Sequence, residues 1–258
     1  MVVRVVEAGR GWRWIVEGFA LFRRSPLMWV VLVLVFFIAL KLLMRISLLG
    51  LVAILLLPIF LVGMMEGCKA LERDEKFQVG HLLIGFRTNV TPLITLGGIS
   101  LVGNLLIAMI IMAIGGDAMM TMMKYAGQTT IPPEAVQSVQ QAMSEATLAA
   151  GAGAILSLPL MMALWFAPLL VYFNGMKPPQ AMLFSFWACW KNTLPFLVYG
   201  LIALAALMVV MPVAVASGQV DLSLWILAPV LIPSIYASYK DIFSAGNTPA
   251  AEENPLPK

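Results

Sequence analysis

Residue types able to do chemistry are few in this chain and scattered along it. The single histidine, His81, lies in the segment VGHLLIGF. A metal centre needs several ligands at suitable spacing, and the two cysteines, Cys68 and Cys189, form no Cys-x-x-Cys motif. His81 is therefore expected to be an interfacial residue bonded to backbone or lipid, rather than a ligand or catalytic base. The sequence carries no nucleophile elbow, no Gly-rich phosphate loop and no histidine–carboxylate pair. Glu66 stands at the edge of an apolar run with Lys69 close by, the pattern of a helix-end anchor. Asn104 lies inside a run, where an interhelical hydrogen bond is the expectation. Met109, Met112, Met119, Met120, Met122 and Met123 cluster together, and thioethers can capture Cu(I). Methionine is also a flexible filler of apolar surface, and the chain holds 18 of them, so copper is not expected. These residues imply a protein that is not an enzyme and that uses no cofactor or metal.

The elements that would position such groups are long and apolar. Hydrophobic residues make up 61% of the chain and charged residues 11%, against about 25% charged in a soluble domain. Uninterrupted runs span about 26–44, 47–65, 92–114, 152–173, 194–217 and 222–236. At about 1.5 Å per residue, each but the last readily crosses a hydrocarbon core of roughly 30 Å. Peptide groups there can be satisfied only internally, so the runs must be helices. The expected fold is all-α and integral to the membrane, with six transmembrane helices arranged as three hairpins. Residues 1–243 would form one polytopic domain, with an outer segment at 115–150 and a disordered tail at 244–258.

Lys and Arg placement sets the orientation. Arg4, Arg10, Arg13, Arg23, Arg24, Lys69, Arg73, Lys76, Arg87, Lys177, Lys191, Lys240 and Lys258 fall on one side, leaving Lys41, Arg45 and Lys124 for the other. Both termini are thus expected in the cytoplasm, with both cysteines near that reducing side. No small-residue cleavage site follows the Arg-rich start, so a cleavable signal peptide is not expected. In the outer segment, Pro132-Pro133-Glu134 reads as a helix start, followed by an amphipathic stripe of Val136, Val139, Met143 and Ala146 leading to the fourth span.

Each hairpin is expected to follow an amphipathic interfacial helix. In the first, Trp12, Ile15, Val16, Phe19 and Phe22 recur at helical spacing among arginines, a composition suited to the headgroup boundary. Trp12, Trp14, Phe19, Arg23 and Arg24 are the expected contacts to headgroups or a partner. Gly18-Phe19 before Ser25-Pro26 returns as Gly85-Phe86 before Thr91-Pro92, and as Ser185-Phe186 before Asn192 and Pro195. Pro58, Pro168 and Pro233 mark the partner spans, each followed by a basic residue. The pattern predicts a threefold internal repeat of about 8–70, 71–175 and 176–243, with helix breaks at those three prolines.

Four blocks carry a wider resemblance: Ala8 to Trp29, Trp165 to Val171, Ser185 to Gly200, and Ser234 to Phe243. In these the chain resembles a proteobacterial inner-membrane protein family of unknown function. The resemblance covers most of the chain outside the outer segment and tail. It implies an inner-membrane location and a shared fold, and carries over no substrate or site residue. Two functions remain as expectations. The first is a non-catalytic accessory subunit, scaffold or membrane-organising factor. The alternative is a transporter or channel for a small or lipid-like solute, with the three prolines beside a central path. The expected partners are the lipid bilayer and other membrane proteins, with no nucleic acid; the sequence leaves the oligomeric state open.

Overall fold

Prolines and glycines punctuate the chain where helices begin and end. The computed structural model describes residues 3–125, 132, 135–219 and 222–243. Pro26 opens helix α2 (Pro26–Met44) directly after α1 (Arg10–Arg24), because its fixed φ suits a first helical position. A short turn through Arg45 and Ile46 leads to α3 (Ser47–Glu72). A 3-10 helix follows at Val79–Phe86. Beyond it lie α4 (Val90–Tyr125) and α5 (Val136–Trp165). The short α6 (Ala167–Asn174) ends at Gly175, whose left-handed φ of 64° a side chain would resist. Then come α7 (Pro178–Lys191), α8 (Thr193–Ala216) and α9 (Leu222–Phe243). The described residues contain no strand, and six helical segments are long and apolar enough to cross a membrane.

Several boundaries differ from the sequence expectation. The amphipathic stripe and the fourth span as far as Trp165 are one continuous helix, α5, and the rest of that span is α6. Pro133, Glu134 and the tail 244–258 lie outside the described residues. The third run extends into α4 as far as Tyr125, bending at Gly115, where a Cβ would meet the Ala149 Cβ at 2.7 Å. Pro58 and Pro233 sit within unbroken helices and are not breaks. Only Pro168 adjoins an interruption, at Phe166. The cause is a side chain from another helix. The Ser185 hydroxyl of α7 accepts the Phe166 N–H at 2.9 Å and donates to Met162 O at 2.6 Å. It has entered the rung that would have joined residues 162 and 166, a recognised origin of helix kinks.

The short helices share a packing relation. α1 lies on α9, the 3-10 helix on α3, and α7 on α5. In the first two cases a glycine sits flat against the neighbour's backbone. A Cβ on Gly18 would come 2.7 Å from Val230 O, and one on Gly85 would come 2.8 Å from Ile59 O. Ser185 takes the corresponding place on α7. Small residues at such contacts let backbones approach, which is how helices gain packing energy where lipid is as apolar as the protein.

Tight packing is concentrated at one end of the bundle. Arg4 N–H donates to Ile242 O, so both ends of the described chain meet there, and this end is called the terminal face below. Trp14, Trp29, Met65, Phe166, Leu170 and Ile242 are fully buried near it. Toward the opposite face the spans present apolar side chains outward, including Leu105, Met109, Met123, Met208 and Val209.

Candidate functional site

The charged residues gather in a seam across the terminal face, between α1, the end of α3 and the end of α9. Asp241 is its centre, with a side chain only 9% exposed. The Trp14 indole donates to it at 2.9 Å, and Arg10 donates to the same carboxylate oxygen. Arg10 also donates to Glu17 at 3.0 Å. Burial acts to lower the Arg10 pKa, but the Asp241 and Glu17 carboxylates outweigh it and hold the guanidinium above its usual value. Lys240 donates to Glu72 at 2.6 Å, and the Tyr236 hydroxyl donates to the second Glu72 oxygen at 3.1 Å. Buried Asn192 clamps the N-terminal segment, accepting from Val6 N–H at 2.9 Å and donating to Arg4 O at 3.0 Å. A groove of about 490 Å³ lined by Arg4, Arg10, Arg24 and Lys240 opposite Glu17, Glu72 and Asp241 remains open above it. These cations and carboxylates are largely paired with one another, so the seam works first as a fastener of α1 to α9.

The predicted contact residues divide between two faces of α1. Gly11, Trp14, Gly18 and Leu21 are buried against the bundle, while Trp12 and Phe19 are about half exposed on the other side. Trp14 is therefore not a headgroup contact: its ring is fully buried against Phe196 and Tyr199. Arg23 is exposed. Arg24 donates to Leu71 O at 2.6 Å, capping the end of α3, and lies 3.4 Å from Asp74. His81 accepts the Gln78 N–H through Nδ1 at 3.0 Å, a backbone bond of the expected kind. Glu66 pairs with Lys69 at 3.5 Å. Both cysteines are buried, and burial pushes the Cys189 thiol up to about 12.

A second feature lies within the spans. An apolar cavity of about 280 Å³ is bounded by Phe36, Leu57, Pro58, Leu96, Pro168 and Ile232. A second cavity, of about 450 Å³, shares Leu61, Ser100 and Leu164 with it and continues past Asn104, Ser157 and Ile235. The structure thus brings Pro58 and Pro168 together and places Pro233 one residue from the lining Ile232. Among the described residues Asn104 makes no interhelical bond, contrary to expectation. Its amide donates within α4, to Ser100 O at 2.7 Å and Ser100 Oγ at 3.3 Å. The sequence did not point to Asp241, Asn192 or Ser185 as partners of remote backbone and indole groups.

Six helices long and apolar enough to cross a membrane, with a charged seam at the terminal face, define a multi-pass α-helical membrane protein. The chain is 31% identical over 265 residues to a probable inner membrane protein of Burkholderia thailandensis, covering 92% of each chain, and it belongs to that protein's family. No family model matches the chain, and no solved structure does.

Proposed function

We propose that the protein is a non-catalytic accessory or membrane-organising subunit, acting by lateral helix docking, with its terminal face in the cytoplasm. The cation-rich segments on that face support the orientation. One observation carries the docking role. Helix α8 packs through Pro195, Tyr199 and Ala214, and between these its central turns contribute no buried residue. Helices associate in lipid through close van der Waals contact, and on α8 that capacity is unused within the chain. The test is photo-crosslinking in native membranes. Cysteines at the exposed Leu204 and Met208 would carry a benzophenone maleimide, the buried native thiols staying unlabelled. Discrete protein adducts from both positions, and none from Ala214→Cys on the packed face, are expected. Lipid adducts alone would defeat the reading.

A second reading rests on the cavity that Pro58 and Pro168 line. A proline-lined cavity beside an interrupted span, here the α5–α6 junction at Phe166, suits passage of a lipid-like solute. In that case transbilayer movement of a fluorescent lipid in proteoliposomes exceeds the protein-free rate. Equal rates would exclude it.

The three short helices and their following spans are, in this reading, copies of one unit. The support is the recurring contact of each short helix with α3, α5 or α9.

A further inference from the structure

We infer that the paired cavities between α3, α4, α5 and α9 form a binding site for an uncharged, hydroxyl-bearing lipid. The hydrocarbon chain occupies the proline-lined cavity, and the hydroxyl donates to the Asn104 side-chain carbonyl.

Size is the first consideration. Ligand sites typically occupy about 300–1,000 Å³, and these two cavities, of about 280 and 450 Å³, meet at Leu61, Ser100 and Leu164. A transmembrane helix is about 10 Å across with its side chains and does not enter such a space, whereas a flexible chain does. The entrance faces lipid, because Asn104 and Met161 are exposed on the outer surface of the spans.

Polarity selects the headgroup. No Asp, Glu, Lys, Arg or His lines either cavity, and a charged head at this depth would lack a counter-ion. The polar groups of the lining residues are the Ser100, Asn104 and Ser157 side chains and the Trp165 indole N–H, which is buried and unpaired among the described residues. Ser157 Oγ donates to Gly153 O at 2.7 Å, and the Asn104 amide nitrogen is used by Ser100. Among the described residues this leaves the Asn104 Oδ1 as an exposed acceptor without a hydrogen bond. It lies 14 residues along α4 from Val90, about 21 Å of helix rise, and so deep within a core of about 30 Å. A carbonyl at that depth lacks water and calls for a donor. A hydroxyl supplies one without charge. An ordinary acyl chain fills the space but leaves the acceptor unmet.

The experiment compares a diazirine-bearing hexadecanol with its methyl ether, incubated with the purified full-length protein in nanodiscs and photolysed. Peptides from α3, α4, α5 and α9 are expected to carry the alcohol about tenfold more than the ether, the ratio one membrane hydrogen bond provides. Asn104→Leu should equalise the two probes. Its bonds lie within α4, so packing between helices is retained, and a monodisperse elution profile with unchanged melting verifies this. Leu61→Trp, which fills the junction of the cavities, should reduce labelling by both. Equal labelling of the native protein by alcohol and ether, or a preference that survives Asn104→Leu, would overturn the site. So would labelling confined to α8, which lines neither cavity.

Discussion

Replacing Trp14 by alanine is expected to destabilise the protein by about 3–5 kcal/mol, the range for emptying a buried tryptophan site. Two losses combine. The ring is fully buried against Phe196, at 5.2 Å between centroids, and Tyr199, so truncation leaves a void that neighbours cannot fill. The indole N–H also meets Asp241, whose side chain is almost enclosed. Removing one partner of a buried carboxylate costs its unmet desolvation as well. Trp14→Phe should fall between the two, keeping most of the packing and losing the bond. Asp241→Asn keeps an acceptor for the indole but removes the charge facing Arg10 and, at 4.0 Å, Arg4. Thermal unfolding in detergent gives the order: native, Trp14→Phe, Trp14→Ala. If Trp14→Ala melts with the native protein, the core assignment of this residue fails, and Trp14 reverts to the interfacial role that its neighbour Trp12 has the exposure to fill.

That contrast shows what the sequence could and could not convey. The number of crossing helices was legible because hydrocarbon thickness demands long apolar runs, and hydropathy measures this directly. The inward face of α1 was not. Gly11, Trp14, Gly18 and Leu21 fall on one stripe, but two of the four are glycines, which contribute contact by absence of a side chain and leave no hydropathic trace. The more visible stripe through Trp12, Val16 and Phe19 is on the outside. Proline misled in a similar way. Pro58 and Pro233 read as breaks, since an interior proline removes its N–H from the ladder and crowds the carbonyl four residues earlier, yet α3 and α9 continue through them. The real interruption at Phe166 depends on a hydroxyl 19 residues away in sequence, information that no local window contains. Asn104 was singled out correctly as a polar group at depth, but its partner was misplaced. A carboxamide on a helix can turn back to the carbonyl four residues earlier, and the Asn104 amide nitrogen does so toward Ser100 O.

The second large effect belongs to two adjacent glycines on α4 and separates close approach from composition. Gly97→Ala is expected to destabilise by about 1–3 kcal/mol through overpacking, while Gly98→Ala should be neutral or stabilising by about 1 kcal/mol through helix propensity. The substitutions are chemically identical and one position apart, so the difference is purely geometric. A Cβ at residue 97 would lie 2.3 Å from Leu55 O and 2.8 Å from Leu55 Cα, both backbone atoms of α3 that no rotamer change can move. At residue 98 the nearest atom is a leucine methyl at 3.9 Å, an ordinary contact. Relief at residue 97 therefore requires α4 to move away from α3, and these two helices carry Leu57, Pro58, Leu96 and Ser100 of the apolar cavity. Gly97→Ala should accordingly lower the melting temperature and weaken labelling by the lipid alcohol together, with Gly98→Ala changing neither adversely. Equal melting of the two variants would mean that α3 and α4 are not in backbone contact at this level, and the cavity between them would lose its wall.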